Sequence, residues 1–191
     1  MMIFLTTTNK NWINWNTKSS RPLDFYMSLT PKQIKMQGQM LSPFKFGLFK
    51  ILKLPLAFLT GIKIKELTKI SAVTSVQYKY LNTNPFDSLY FAVLAMSAEL
   101  STGMLALFSI AKYDQSIAVL VVESSGKFYK KAVGEIDFIC EDGELFQEGI
   151  EKCVQENESK IVKAKSKGFN QQNELVCEYE FTWSFKVRSI Q

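Results

Sequence analysis

Histidine is absent from the 191 residues of this sequence. Without it, the chain cannot form a Ser-His-Asp or Cys-His catalytic group, a phosphorelay histidine or most catalytic zinc sites. Acid or base chemistry must therefore use a carboxylate, a lysine, a tyrosine or a cysteine. We expect no metal site.

Cysteine is scarce, and its pattern excludes other classes of protein. Cys140, Cys153 and Cys177 are odd in number, widely spaced and without a C-x-x-C pair. They are typical of reduced thiols that pack in a core rather than bind metal or form disulfides. The start of the chain also lacks the basic region and long apolar region of a signal peptide. We therefore expect a cytoplasmic protein.

The charge of the chain is only mildly positive. Lys and Arg number 23 against 18 Asp and Glu, which gives a formal net charge of +5. This excess suits an anionic ligand or a membrane surface, but it is too diffuse to indicate nucleic acid as a partner. An apolar content of 47% and a charged content of 21% are ordinary for a globular domain.

The length fits one domain with an additional arm. Residues 1–40 have no sustained period, and we interpret them as an N-terminal extension with a possible short helix. Thr30 and Pro31 would be the N-cap and first residue of that helix. Met27 is compatible with a start, which would make residues 1–26 an upstream extension. Residues 41–191 form the predicted domain.

The sequence is organised around residues 89–111, an almost unbroken apolar run with one carboxylate, Glu99, in its middle. A helix that is apolar on every side must lie inside protein or lipid. The run is long enough to cross a membrane. Its central acid, its serines and the strand-like segments on both sides favour the core of a protein instead.

A helical wheel divides this helix into two faces. The face of Glu99 carries mostly small residues: Ala92, Ala95, Met96, Thr102, Gly103 and Ala106. The opposite face carries large residues: Leu89, Val93, Leu100, Met104 and Leu107. The small face leaves room for a ligand or a second backbone. The alternative is tight helix packing, with the carboxylate bonded to a neighbouring strand.

The other segments predict an α+β fold with an antiparallel sheet. Residues 42–62 form an amphipathic helical segment broken at Pro55. This segment either lies on a membrane surface or forms a lid over an apolar pocket. The alternative is a short helix that packs its apolar face on the domain. Strand patterns follow at residues 62–67, 72–80, 116–123, 128–139, 159–167 and 174–187, with a turn at Ser125-Gly126 and a helix at 144–157. The strand at 116–123 is apolar enough to be buried on both faces.

A short motif resembles the hotdog-fold acyl-CoA thioesterases, in particular the PaaI-like type and a poorly characterised branch related to it. Asn84 precedes the helix, Glu99 follows fifteen positions later and Thr102 three after that; the ending YEFTWSFK at 179–186 is also similar. The resemblance spans about residues 41–188. It implies an antiparallel sheet wrapped around the long helix, a homodimer or tetramer whose small helix faces meet, and acyl-CoA as substrate. Coenzyme A would enter with the substrate, and no separate cofactor is implied.

The resemblance also implies roles for individual residues. Glu99 would be the base or nucleophile, Asn84 would orient water, and Thr102 would bond the carboxylate, a water or, alternatively, the carbonyl of Ala98. In the family a His-Gly-Gly segment lies at the entrance of the helix, and an amide there polarises the thioester carbonyl. The corresponding substrate-binding residues here are Ser88, Tyr90, Phe91 and Ala92, with the Phe91 N–H as oxyanion donor and Asp87 or Ser88 as helix cap. The missing glycines leave open a binding protein that holds an acyl chain without turnover.

Overall fold

The computed structural model describes residues 29–188. Within these residues, five α-helices, one 3-10 turn and six strands follow one another, and the strands and the helices between them have the order that the sequence predicts. They are α1 (Pro31–Met40), α2 (Pro43–Lys53), α3 (Pro55–Thr60), β1 (Lys63–Leu67), β2 (Ala72–Gln77), a 3-10 turn (Tyr80–Asn82), α4 (Phe91–Ile110), β3 (Ile117–Phe128), β4 (Glu135–Cys140), α5 (Gly143–Glu156), β5 (Lys160–Phe169) and β6 (Leu175–Val187).

The strands form one sheet in the order β1-β2-β4-β5-β6-β3, and every neighbouring pair is antiparallel. β6 shows best why this sequence forms a sheet with one buried face. Its alternate residues are buried, as predicted: Cys177, Tyr179, Phe181, Trp183 and Phe185. Among these side chains, Tyr179 and Trp183 contact α4, whereas the ring of Phe185 packs on Phe146 of α5.

Helix α4 is the centre of the core, and polar contacts fix its position on the sheet. Thr74 Oγ1 on β2 donates to the carbonyl of Ser97 at 2.7 Å, and the hydroxyls of Ser101 and Ser166, the latter on β5, lie 2.7 Å apart. In the described part of the chain, α4 is the one helix long and apolar enough to cross a membrane, yet most of it is buried by the protein itself. The predicted core helix is confirmed.

Helix α1 begins as the sequence predicts. Thr30 is the N-cap and forms a capping box with Gln33, and Pro31 is the first helical residue. The helix packs on the domain, because Gln33 Nε2 donates to the carbonyl of Phe108 at 3.0 Å and Met40 is buried in the core. The domain boundary at residue 40 stays a prediction, and the predictions for residues 1–26 lie outside the described residues.

The prediction for β3 was wrong in two respects. The strand runs through Ser125 and Gly126 without turning and ends at Phe128. Gly126 lies opposite Tyr179, and a Cβ at Gly126 would lie 2.8 Å from that ring, so the glycine makes room for an aromatic partner. β3 is also an edge strand rather than a strand buried on both faces: Leu120 is 63% exposed. A hydrophobic run alone cannot distinguish a central strand from an edge strand.

Candidate functional site

Glu99 is a half-buried carboxylate in the middle of α4. No hydrogen bond or ion pair to its side chain is found within residues 29–188. Loss of hydration on burial raises the pKa of this carboxyl above its ordinary value. A carboxylate of this kind is a stronger base than an exposed one and has lone pairs free for a ligand.

Gly103 brings the backbone of α4 close to both Glu99 and Trp183. A Cβ at Gly103 would lie 3.2 Å from Cη2 of Trp183 and 3.3 Å from Oε1 of Glu99. The carboxylate and the indole therefore face each other across the bare backbone of one helical turn. The sequence placed Gly103 on the small face of the helix but did not identify Trp183. The signals for Trp183 were its inward position in the alternation of β6 and its place in the YEFTWSFK ending.

Thr102 is fully buried and uses its hydroxyl elsewhere than predicted. Its Oγ1 donates to the backbone carbonyl of Glu99 at 3.0 Å and accepts a hydrogen bond from Trp183 Nε1 at 3.2 Å. The expected bond to the carboxylate of Glu99 is not formed, nor is the alternative bond to the carbonyl of Ala98. The physical reason is that the indole N–H, once buried, needs an acceptor. Thr102 thus positions Trp183.

The entrance of α4 offers unpaired backbone donors. Tyr90 is the N-cap, but no side chain caps the helix, so the predicted caps, Asp87 and Ser88, were wrong. The N–H groups of Phe91 and Ala92 have no acceptor within the described range. They lie at the N-terminus of a twenty-residue helix, which is the positive end of its dipole. Phe91 is 57% exposed, and Tyr90 and Ala92 are exposed as well.

Asn84 organises the loop before this entrance. Its Oδ1 accepts hydrogen bonds from the N–H of Phe86 at 2.9 Å and from the hydroxyl of Ser88 at 3.1 Å, as in an Asx turn. Its Nδ2 makes only a long contact, 3.5 Å, to the carbonyl of Leu89. Ser88 is buried with its hydroxyl committed to Asn84. The amide nitrogen of Asn84 is therefore the part of this pair most available to a ligand.

Within one chain, the entrance and the carboxylate are well separated. Phe91 and Glu99 are eight residues apart in α4, which corresponds to a rise of about 12 Å along the helix axis. The structure therefore places the predicted site residues in two groups. Glu99 and Thr102 lie at mid-helix, whereas Asn84, Ser88, Tyr90, Phe91 and Ala92 lie at the helix start.

Asn82 is a residue of this region that the sequence did not single out. It is fully buried, and its Nδ2 donates to the carbonyls of Thr60 and Gln77 at 2.9 and 2.8 Å. The backbone carbonyl of Asn82 accepts a hydrogen bond from the N–H of Tyr90 at 2.8 Å. Asn82 thus ties the end of α3 to the start of α4. The sequence gives no signal for these contacts, because the partners of Asn82 come from other segments of the chain.

Other reactive groups in the described part of the chain are less suited to chemistry. Burial raises the pKa of both Cys140 and Cys177 to about 12, so these thiols stay protonated and unreactive at neutral pH. Within residues 29–188, no three His, Cys, Asp or Glu side chains come close enough to hold a metal ion. Glu99 is left as the group best placed to act as a base.

No family model and no curated protein matches this chain. Solved structures do match it. A Pseudomonas aeruginosa protein described as a probable thioesterase has a TM-score of 0.64 and 18% identity, over 79% of this chain and 100% of its own. A thioesterase of Haemophilus influenzae has a TM-score of 0.53 and 13% identity, over 73% of this chain and 88% of its own. A mutant thioesterase of Pseudomonas aeruginosa has a TM-score of 0.56 and 12% identity, over 74% of this chain and 92% of its own. This likeness confirms the predicted hotdog fold.

Proposed function

We propose that this protein hydrolyses acyl thioesters, with acyl-CoA compounds as the substrate class and Glu99 as the reacting residue. The observation that carries the proposal is the half-buried carboxylate on the central helix, unpaired within the described residues and held beside Gly103. It occurs in a fold shared with proteins described as thioesterases. An unpaired carboxylate in an apolar helix costs stability, and such groups are commonest where they act.

Two routes are open to Glu99. As a general base, its carboxylate takes a proton from a water whose oxygen attacks the thioester carbon; the C–S bond then breaks and the thiolate leaves. As a nucleophile, the carboxylate attacks the same carbon and expels the thiolate, and a water then hydrolyses the resulting mixed anhydride. Both routes release a free acid and a thiol. Coenzyme A takes part only within the substrate, so the reaction needs no separate cofactor.

The entrance of α4 supplies the other requirement of thioester hydrolysis, donors for the developing oxyanion. The N–H groups of Phe91 and Ala92 suit this role because they are unpaired within the described residues and lie at a positive helix end. Asn84 orients water through Nδ2, and Ser88 holds Asn84 in place. Thr102 acts indirectly, by fixing Trp183 next to Glu99. The side chains of Tyr90 and Phe91 contact the substrate.

A homodimer, or a tetramer built from such dimers, brings the two groups together. One chain places its entrance about 12 Å from its own Glu99 along the helix, so the second group must come from another copy. Two surfaces support association of this kind. The edge strand β3 exposes Leu120 and Val122, and the stripe formed by Ala92, Ala95 and Met96 beside Glu99 is only partly covered.

The deciding experiment measures thiol release from a panel of acyl-CoA substrates. Glu99→Gln keeps the size of the side chain but removes the base, and we expect a loss of kcat of at least about 100-fold. Phe91→Pro removes the N–H at the first helical position, where proline is well tolerated, while Phe91→Ala keeps it. Both Phe91 variants lose the phenyl ring, so we expect the proline variant to have a clearly lower kcat than the alanine variant. Turnover that survives Glu99→Gln would overturn the proposal.

A second candidate function is acyl binding without turnover. It is favoured by Tyr90, Phe91 and Ala92, which bring side chains to the position where the thioesterase motif carries glycines, and Phe91 is 57% exposed there. Lipid that co-purifies with the protein, together with no thiol release from any substrate, would select this function. In either case the three free, buried thiols favour a reducing compartment, and we place the protein in the cytoplasm.

A further inference from the structure

Helices α2 and α3 present an apolar surface to the outside. Phe44, Leu48, Ile51 and Leu52 follow one another at helical spacing and are all exposed, Phe44 by 82% and Leu52 by 68%. On α3, Leu56 and Leu59 are exposed in the same way. We call these six residues the α2–α3 face. A surface helix normally carries polar residues on its outer side, so this face is unusual for a helix exposed to water.

The inner side of α2 is already occupied, so the helix cannot bury this face by rotating. Phe46 is buried in the core. Lys50 is also buried, and its Nζ donates to the carbonyl of Ile62 at 2.7 Å while lying 4.9 Å from the ring centroid of Phe46. These contacts fix the rotation of α2 about its own axis. The apolar side must therefore meet something outside the described part of the chain.

The charges around the face are of one sign. Residues 29–65 contain no Asp or Glu but seven lysines: Lys32, Lys35, Lys45, Lys50, Lys53, Lys63 and Lys65. Lys45, Lys53 and Lys63 are exposed, and none of the three forms an ion pair within the described residues. An apolar surface bordered by free lysines is complementary to a lipid bilayer whose headgroups are anionic.

We propose that the α2–α3 face docks on anionic phospholipid membranes, with its apolar side chains in the headgroup region and Lys45, Lys53 and Lys63 at the phosphates. A second copy of the chain fits the face less well. A two-fold symmetric contact would bring together two copies of a surface whose segment, residues 29–65, contains no acid to pair with the lysines of the other copy. Residues 1–28 fit less well too, because they add Lys10, Lys18 and Arg21 against a single acid, Asp24.

The docked face adjoins the entrance of α4. Asn82 links the end of α3 to the loop before α4 through its hydrogen bond to the carbonyl of Thr60. In the same turn Tyr80 is 90% exposed, and Leu81 is exposed as well. These two side chains extend the apolar surface from α3 toward Phe91. Docking would therefore bring the start of the central helix close to the membrane surface.

Vesicle flotation of the full-length protein tests this proposal. Phosphatidylcholine vesicles are compared with vesicles that contain about 30% phosphatidylserine, at physiological and high salt. We expect the protein to float with the anionic vesicles and less so at high salt. Leu48→Gln with Leu52→Gln removes apolar contact, and Lys45→Glu with Lys53→Glu reverses charge. Each pair should lower the partition coefficient about tenfold or more.

A matched control pair, Ile161→Gln with Lys163→Glu, changes one exposed apolar and one exposed basic residue on β5, outside the face. It should float like the unchanged protein. Because all the substituted residues are exposed, circular dichroism and thermal unfolding should be unaffected. Equal flotation of the Leu48 and Leu52 variant would mean adsorption by net charge alone and would overturn the proposal. An absence of flotation, or a change in oligomeric state caused by that variant, would overturn it as well. None of these outcomes depends on thioester hydrolysis.

Discussion

Trp183 donates a hydrogen bond from Nε1 to Oγ1 of Thr102 over a distance of 3.2 Å. This bond joins the last strand of the sheet to the central helix, less than one turn after Glu99. Because Thr102 also donates to the carbonyl of Glu99, the indole, the hydroxyl and the helix backbone form one connected unit. The orientation of Trp183 beside Glu99 depends on this unit.

Thr102→Val should therefore destabilise the protein, since it leaves the buried indole N–H without its acceptor. We expect a loss of about 1–3 kcal/mol in the free energy of unfolding, measured by denaturant titration. Thr102→Ser keeps the hydroxyl and should lose less. An unfolding free energy unchanged in Thr102→Val would show that the hydrogen bonds of this hydroxyl do not contribute to stability.

Gly103→Ala should impair catalysis more than folding. The new Cβ would lie 3.2 Å from Trp183 and 3.3 Å from Glu99 Oε1, so both groups must shift by a few tenths of an ångström. Alanine favours a helix over glycine by about 1 kcal/mol, which offsets this crowding. We expect an unfolding free energy within about 1 kcal/mol of the parent and a clear fall in kcat. An unchanged kcat would mean that the exact positions of Glu99 and Trp183 beside Gly103 do not matter for catalysis.

Asn84 allows its structural role to be separated from a catalytic one. Asn84→Asp keeps the oxygen that accepts from Phe86 and Ser88 but replaces the amide nitrogen. We expect the aspartate variant to keep its stability and lose kcat. Asn84→Ala should lose about 1–2 kcal/mol of stability as well. If the aspartate variant kept full kcat in the thiol-release assay, Asn84 would act only on the loop.

Glu99→Gln should raise stability at neutral pH. Burial raises the pKa of Glu99 in the folded protein above its ordinary value of 4.5, so ionisation of this side chain above that pKa weakens the folded state. We expect Tm to rise at neutral pH. As the pH falls through the raised pKa and below 4.5, the difference in Tm should disappear. A Tm difference independent of pH would contradict a raised pKa.

Subunit mixing tests whether each site is shared between two chains. Glu99→Gln and Phe91→Pro should each be inactive, yet a mixed dimer would contain one intact site. Random exchange of equal amounts should restore about a quarter of the parental activity, because half of the dimers are mixed and each has one working site of two. No recovery, in dimers shown by mass spectrometry to have exchanged, would mean that each chain holds a complete site.

The sequence predicted those parts of the fold that depend on local pattern. The apolar run around Glu99 required a buried helix, and the strict alternation before Val187 required a strand with one buried face. Thr30 and Pro31 marked the start of α1 by capping chemistry alone. In each case one stretch of chain contained the whole signal.

The features that the sequence missed depend on contacts between distant segments. Gly126 resembles a turn residue until Tyr179 is known to lie opposite it on β6. The hydroxyl of Thr102 had nearby carbonyls as candidate partners, and only the fold brings Trp183 to it. The exposure of β3 depends on its place in the strand order. The location of Glu99 was predictable, whereas its neighbours were not.

Thr74 and Ser166 contact successive turns of α4 from two different strands, β2 and β5. Two anchors on opposite halves of the sheet prevent the helix from sliding or rolling when a ligand arrives. For the proposed acyl thioester substrates, selection by chain length would then depend on side-chain rotamers and on the loop at residues 84–89, rather than on movement of the helix. Variants that change chain-length preference should accordingly be found among residues bordering α4, while the two hydroxyl anchors stay intact.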